Sequence, residues 1–433
     1  MLTKSFVLRR ESFGSIVSQC QPGTIAVIRP EKALETLIRS LVHRMLVEKQ
    51  SPTRQVKDVS DYLDAVSDNA LYVQKKSDFI AYVQDYLGKA SGFSVNTEQV
   101  ENYVLAQCAL LCAQAVAISV GVDAIDGREL VVCRQEGAAT FFDWEASRVE
   151  IVRKCEGHNL LVVSGGYARS PQGVVLAIGK GGANMMAALI AASVKAEKIE
   201  FYVEGEGING IESMTYDEAA HYCAVANAPF PSAALWPAKK AGIPIVVKSI
   251  LHPDFKGTCV SSVSGSADEP VAGIIADSDL ILVTVYGTGL LGQVGASSII
   301  FSSLAKAGVN IRFIAQTSSE YSISIAVREK YGDTVIEVLN KLFERSSHGR
   351  SQGNNSPMMP LDDVMVVNQK VGIVTVYGSR MRSVPGISGR VYALLGNAGI
   401  NVIASSQGGE ELSISVVIDA KDLEKAKQCL SEI

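Results

Sequence analysis

The C-terminal third of the chain repeats itself, and this constrains the fold more than any other feature. VTVYG at 283–287 recurs as VTVYG at 374–378, an offset of 91 residues. With no gap, the same offset pairs Gly295 with Gly386, Ala307-Gly308 with Ala398-Gly399, Asn310 with Asn401, and Gln316 with Gln407. It also pairs Ser322-Ile323-Ser324 with Ser413-Ile414-Ser415. Self-similarity over this length marks a duplicated module, one supersecondary unit used twice. Each copy reads strand, glycine-rich loop, amphipathic helix, Ala-Gly stop, strand, turn, strand, helix, which fits βαββαβ order. Residues 346–362, opening SSHGRSQGNNSPMMP, have the composition of a flexible polar linker between the copies.

The first two thirds read as α/β. Strands are expected at 5–10, 24–29, 129–133, 160–164, 198–203 and 243–248, with helices at 30–47, 216–226 and 233–241. Strands alternating with helices predict layers around a largely parallel sheet. Residues after the first strand read as a compact loop, because about a dozen residues leave little room for a crossover helix. The charged stretch 49–99 is helical in pieces, at 61–66 and 79–87, and shows no site.

Residues 175–192, VLAIGKGGANMMAALIAA, read as strand, glycine turn, helix. Gly179-Lys180-Gly181-Gly182 forms the turn, and Asn184 is placed to cap the helix. Glycines let a backbone approach a ligand and aim N–H groups at it, the helix dipole adds positive potential, and Lys180 adds a full charge. The same glycines equally suit a tight turn that only packs there.

Composition narrows the function classes. The net charge of −5, with no basic block, argues against a nucleic-acid surface. None of the eight cysteines forms a CxxC pair, and Cys108 and Cys112 have no nearby histidine. They read as reduced thiols of a cytoplasmic protein, with no metal site expected. The first thirty residues lack a signal-peptide pattern. Residues 103–122 carry no charge over the length of a membrane span, but Gln107, Gln114, Ser119 and many alanines indicate a buried core helix instead.

The repeated module resembles the ACT domain, a small-molecule sensing unit of amino-acid metabolism. A tandem ACT pair behind an α/β domain with a GxGG turn resembles an aspartokinase. Residues 119–132, SVGVDAIDGRELVV, are similar to the strand leading into that family's D-x-R-E segment. Residues 162–166 match a strand ending in Gly-Phe, Gly166 replacing the aromatic after Gly165. Thr215-Tyr216-Asp217-Glu218-Ala219 matches S-Y-D-E-A. Residues 237–260, PAKKAGIPIVVKSILHPDFKGTCV, follow the family's P-A-x-x-A-G-I-P and later G-T run. The resemblance covers 119–433 well and the first hundred residues poorly. It implies an amino-acid-kinase-like three-layer sandwich at 1–262, a first ACT domain at 268–345, the linker at 346–362 and a second ACT domain at 363–433, each ACT a ferredoxin-like βαββαβ module.

The implied activity is ATP-dependent phosphorylation of the aspartate side-chain carboxylate, with magnesium as ATP's companion. Implied catalytic positions are Lys180, Gly181 and Gly182; implied substrate and nucleotide positions are Gly165, Gly179, Asn184, Glu204, Glu206 and Gly207. The family motifs are altered at several points. K-F-G-G-T-S becomes Ser12-Phe13-Gly14-Ser15-Ile16-Val17, with Arg9 or Arg10 the nearest cation. A Ser-Ala-x-Gly-Gly loop becomes Arg29-Pro30-Glu31-Lys32, where proline offers no N–H and Glu31 repels phosphate. No acid falls at 104–107, Glu101 being nearest, and G-R-G-G-S-D becomes Gly179-Lys180-Gly181-Gly182-Ala183-Asn184. Removal of one such contact typically costs on the order of 10²-fold in rate. Two readings follow: a sensing protein whose phosphotransfer is weak or lost, or an active, diverged carboxylate kinase on aspartate or an analogue. In both, an amino-acid effector is expected at the ACT pair, with Asn310, Gln316, Asn401 and Gln407 supplying polar groups. A homo-oligomer is implied, or a hetero-oligomer with an active aspartokinase.

Overall fold

The structure, a computed structural model, describes the chain except residues 10, 137–138, 180, 204–207, 209–210, 226–227, 229, 251–255, 264–269, 288–289, 291–294, 320 and 349–364. The chain forms two compact units: residues 1–223 with 228–265, and 266–433 with 224–227.

At the centre of the first unit, β1 (Leu2–Leu8) and β2 (Thr24–Pro30) run parallel, with Leu2 opposite Thr24 and Leu8 opposite Pro30. The expected loop between them is instead a two-turn helix, α1 (Phe13–Gln19). Seven residues suffice for the crossover because Ile16 is fully buried against the sheet, and short helices depend on such packing rather than on propensity. Helices α2 (Lys32–Leu46), α3 (Thr53–Asp64), α4 (Ala70–Ala90) and α5 (Thr97–Val120) follow. Asn96 caps α5 by accepting from Gln99 N–H, and Gly121, left-handed, ends it. By length and composition α5 would cross a membrane. It is a core helix of this unit: Leu105, Cys108, Cys112 and Val116 are buried in a cluster with Phe6, Ile28, Leu63 and Tyr72.

Next come β3 (Ala124–Ile125), β4 (Cys133–Glu136), β5 (Ala139–Phe142), α6 (Trp144–Cys155) and β6 (Leu160–Ser164). They are followed by β7 (Tyr167–Arg169), β8 (Val175–Ala177), α7 (Gly182–Val194), β9 (Lys198–Val203) and β10 (Ser213–Thr215). Helices α8 (Tyr216–Val225) and α9 (Leu235–Ala241) precede β11 (Ile245–Ser249) and β12 (Thr258–Ser261). The main sheet has the order β10-β12-β11-β9-β1-β2-β6-β3, parallel at every described pairing except β11 with β12. Phe6, Ile28 and Val162 face the layer of α1–α5, while Ile25, Val27, Val163, Ile199 and Phe201 face α6, α7 and α9. Burial on both faces is why these strands read as unbroken apolar runs.

One expected strand is corrected and another is placed. The run at 129–133 is apolar because it is buried, not because it is extended: Leu130 and Val131 N–H both bond Gly127 C=O, closing a 3₁₀ turn, and β4 starts only at Cys133. The strand entering the glycine turn is real but lies outside the main sheet, since β8 pairs with β7 in a hairpin closed at Ser170 and Gly173.

The second unit contains β13 (Gly273–Tyr286), α10 (Ala296–Lys306), β14 (Ile311–Gln316), β15 (Ser322–Arg328) and α11 (Gly332–His348). The second copy contains β16 (Met365–Tyr377), α12 (Ile387–Asn397), β17 (Val402–Gln407), β18 (Ser413–Asp419) and α13 (Leu423–Leu430). All six strands form one antiparallel sheet, ordered β14-β15-β13-β16-β18-β17. The repeat is physical: Val283, Val285, Ile300, Leu304, Val327 and Leu339 form one core, and Val374, Val376, Val391, Leu395, Ile418 and Leu430 form the matching one. Thr284–Ser324 and Thr375–Ser415 hydroxyl pairs recur at 2.9 Å.

Strands β13 and β16 are long because each serves both copies. Residues 280–286 pair with 365–371, whereas 273–277 pair with 373–377 beyond a bulge. The first copy is therefore completed by chain that follows α11, and the second copy takes its fourth strand from chain preceding the first. Asp277, buried at that bulge, pairs with Arg312 at 2.9 Å and Arg328 at 2.8 Å.

Candidate functional site

From β1 the sheet builds outward to β2 and β6 on one side and returns with β9 on the other. In such sheets ligands bind outside the carboxyl ends of the strands at this switch point. The glycine turn, Gly165 and the residues after β1 and β2 converge there.

Gly165 is tightly enclosed. Its N–H bonds Ile28 C=O at 2.7 Å, and a Cβ would lie 2.8 Å from both Ala183 Cβ and Val27 Cγ1. Gly182 packs on Gly166 and Ile178, and a Cβ on Gly181, at φ +75°, would lie 2.4 Å from Pro231 Cδ. Gly179, at φ +90°, has open space around it. Three of these four glycines are thus required by packing alone. The helix starts at Gly182 with left-handed Gly181 as its N-cap, so Asn184 is not the cap. Its Oδ1 instead accepts from Ser5 Oγ on β1 at 2.5 Å. Asn184→Ala is expected to destabilise the unit by about 1 kcal/mol in urea unfolding, while Asn184→Asp, which keeps the acceptor, changes it by about 0.5 kcal/mol or less. Lys180, Glu204, Glu206 and Gly207, with Arg10, lie outside the described residues.

The ends of β1 and β2 are closed by internal pairs. Ser12, where the family lysine was sought, is buried and turns its hydroxyl to Val7 and Arg9 C=O. Arg9 Nε lies 3.2 Å from Glu31 Oε2, and Tyr62 OH donates to Glu31 Oε1. Burial and then Glu31 itself push the Tyr62 phenol far above its ordinary range. Arg29 stands 4.0 Å from Glu35, whose carboxyl burial pushes up against the pull of Arg29 and Arg39. Arg39 pairs with Glu101. Ser164 Oγ, at the end of β6, accepts from Gly127 N–H at 2.9 Å.

Sequence reasoning missed a charged cluster inside the sheet. Lys4 on β1 and Glu200 on β9 are register neighbours, each 3–6% exposed, with Nζ 3.6 Å from Oε2. Lys198 and Lys248 reach Glu200 Oε1 at 2.7 and 3.2 Å, and Tyr202 OH donates to Oε2 at 3.1 Å. Burial pushes the Glu200 carboxyl up, but Lys198, Lys248 and Lys4 outweigh it and bring it down to about 2. Charged letters within apolar strands, LTKSFVL and KIEFYV, were the available signal.

The ACT pair separates two expected partners. Asn310 precedes β14 and Gln316 ends it, so the six-residue strand holds them about 20 Å apart. Asn401 and Gln407 flank β17 in the same way. All four side chains are exposed. Gln407 accepts from Ser388 Oγ at 3.2 Å, in the first turn of α12 behind left-handed Gly386. The glycine loop and the Gln therefore share one end of the second copy, and the Asn does not. Most of the matching loop in the first copy lies outside the described residues.

ATP with magnesium, which the resemblance implies, can be tested against this geometry. The described polar groups at the strand ends do not fit a polyphosphate: Arg9 faces Glu31, Pro30 lacks an N–H, and Asn184 is bonded to Ser5.

Residues 82–249 match the amino acid kinase family, and 283–343 and 374–433 each match the ACT domain. The chain is 25% identical over 434 residues to the chloroplastic bifunctional aspartokinase/homoserine dehydrogenase 1 of Arabidopsis thaliana, an alignment covering 93% of this chain and 46% of the relative. The chain thus spans less than half the length of the bifunctional relatives it matches. In fold it is similar to E. coli aspartokinase III in complex with lysine and aspartate, with TM-score 0.79 and 15% identity, covering 100% of this chain and 99% of the other. It is similar also to Clostridium acetobutylicum aspartate kinase, with TM-score 0.77 and 19% identity, covering 100% and 98%.

Proposed function

As a member of the aspartokinase family, an amino acid kinase domain followed by two ACT domains, the chain has a phosphotransfer fold and a sensing fold, and we propose that it works chiefly through the second. In this reading it is an amino-acid-responsive protein of aspartate-family metabolism whose own transfer of phosphate from ATP to aspartate is weak or lost. One observation carries the reading. At and beside the ends of β1 and β2, described polar side chains are engaged within the chain, in the pairs Arg9–Glu31, Tyr62–Glu31, Arg29–Glu35 and Ser5–Asn184. Phosphoryl transfer needs donors aimed at the transferred group and held ready for it; these donors are aimed at carboxylate and amide oxygens of the chain itself.

The ACT pair would bind an amino acid and assemble the protein as a homo-oligomer, or as a hetero-oligomer with an active aspartokinase. The E. coli relative holds lysine and aspartate, which supports this ligand class. Eight unpaired cysteines support a reducing compartment such as the cytoplasm.

The test is acyl-phosphate formation from ATP, magnesium and aspartate, trapped with hydroxylamine beside E. coli aspartokinase III. The expected rate is about 100-fold or more below that enzyme, the size of losing one or more transition-state contacts. Comparable turnover that Lys180→Ala abolishes would overturn the reading. Calorimetry with lysine, threonine, methionine and aspartate reads the sensing half, and heat from none of them would count against it.

A further inference from the structure

The mismatch between the strand ends and a polyphosphate centres on Glu31. This residue directly follows β2, and each of its carboxylate oxygens has a partner: Tyr62 OH donates to Oε1, and the Arg9 guanidinium forms an ion pair with Oε2, its Nε at 3.2 Å. Arg9 comes from the end of β1 and Tyr62 from α3, so three separate elements build the contact. The side chains are largely enclosed, at 27% exposure for Arg9 and 17% for Glu31. A guanidinium paired by charge with one oxygen and a hydroxyl donating to the other form a set that receives an oxyanion, the hydroxyl through a charge-assisted hydrogen bond.

Among the described residues, the Glu31 carboxylate does not serve its own helix. Glu31 is the N-cap of α2, with φ −75° and ψ 164°, yet its side chain makes no capping bond. Residues chosen for this position usually turn a side-chain oxygen onto the helix N–H groups. Glu31 instead reaches away, to Arg9 and Tyr62. The placement matters because Arg9 is the described cation nearest the end of β1, at the switch point of the sheet.

We propose that Arg9 and Tyr62 form an oxyanion site at the ends of β1 and β2 which the chain fills with its own Glu31, so that a phosphate-type anion binds there only once that carboxylate is removed. The inference rests on the reading of the first unit as a kinase fold with its phosphate contacts withdrawn. A tethered carboxylate competes at an effective concentration of millimolar order or more. It also repels an incoming anion directly. Glu31 would therefore be the residue that turns an anion site into an internal ion pair.

The experiment is calorimetric titration of inorganic tripolyphosphate into the full chain at low salt. Glu31→Ser removes the occupant and places a favoured N-cap residue on α2, so the fold is kept. It is expected to bind tripolyphosphate at least about tenfold more tightly than wild type, one decade being 1.4 kcal/mol. Adding Arg9→Gln to it is expected to abolish the gain. Glu35→Ser makes the same charge change one turn along α2 and is expected to give no gain. Glu31→Gln, which removes the charge with little change of volume, reads the same effect should the serine variant unfold. No gain in either folded Glu31 variant would overturn the proposal. So would an equal gain in Glu35→Ser, which would mean general charge, or a gain that survives Arg9→Gln. Acyl-phosphate formation by the wild type at a rate comparable to an active aspartokinase would instead overturn the functional reading above, so the two failures are separable.

Discussion

Glu200→Gln is expected to lower the unfolding free energy of the first unit by about 3–5 kcal/mol at pH 7, the cost of removing one partner of a buried ion pair. The substitution keeps volume and removes charge. Lys4, Lys198 and Lys248 all lean on this carboxylate, and Lys4 is itself buried on the neighbouring strand, its ammonium pulled below its ordinary range by that burial. Without Glu200 the cluster holds three ammonium groups and no counter-charge inside it. Solvent reaches Lys198 and Lys248, at 35% and 24% exposure, which favours the lower end of the range. The pH dependence has a definite sign. The folded carboxyl sits at about 2 against an ordinary 4.5, so its contribution is fully present above about 4.5 and is lost as pH falls towards 2. Urea unfolding of wild type and variant should therefore show a full gap at pH 7 that narrows steadily between pH 4.5 and 2. A gap independent of pH would show that Glu200 acts through packing instead.

Gly181→Ala is expected to cost about 2–5 kcal/mol, combining about 1–2 kcal/mol for an L-residue in the left-handed region with about 1–3 kcal/mol for overpacking. The added methyl would lie 2.4 Å from Pro231 Cδ at φ +75°. Gly179→Ala meets open space at φ +90°, and its expected cost is about 1 kcal/mol, from backbone strain alone. Thermal and urea unfolding of the two variants separate packing from conformation. Equal costs would mean that the Pro231 ring yields, and that the turn is less filled than its geometry indicates. The comparison bears on function, because a glycine occupied by a proline ring is one whose open side no ligand uses.

How much of this was legible follows from how each feature is encoded. The duplication was legible residue by residue, because matching core positions keep one fixed offset: Val283 and Val374, Leu304 and Leu395, Leu339 and Leu430. Strands β2, β6 and β9 announced themselves because burial on both faces leaves apolar runs. Helix α1 did not, since FGSIVSQ has too few turns to show a period and owes its form to one buried isoleucine. The apolar run at 129–133 misled for the converse reason, that burial and extension are different things. At the candidate site, the substitutions at Glu31 and Asn184 were visible as departures from the family pattern. Arg9 was visible as the nearest cation, but the partners Ser5 and Tyr62 were not, because nothing local links residues 179 or 31 positions apart. The partners of Glu200 on other strands were hidden for the same reason, although its charge within an apolar strand was a readable signal.

The strand exchange in the second unit has a consequence for order of assembly. Gly273 must find Tyr377 before the second copy is complete, with the whole first copy lying between them. Such long-separation pairings raise contact order and slow folding, although the closure entropy itself grows only slowly with loop length. It follows that the two halves of the repeat are not separable parts. A cut anywhere in 349–364 divides the sequence neatly but separates 373–377 from one of its two neighbouring strands, exposing a sheet edge open to aggregation. Evolution duplicated a module here, yet the boundary of each copy in space no longer coincides with its boundary along the chain.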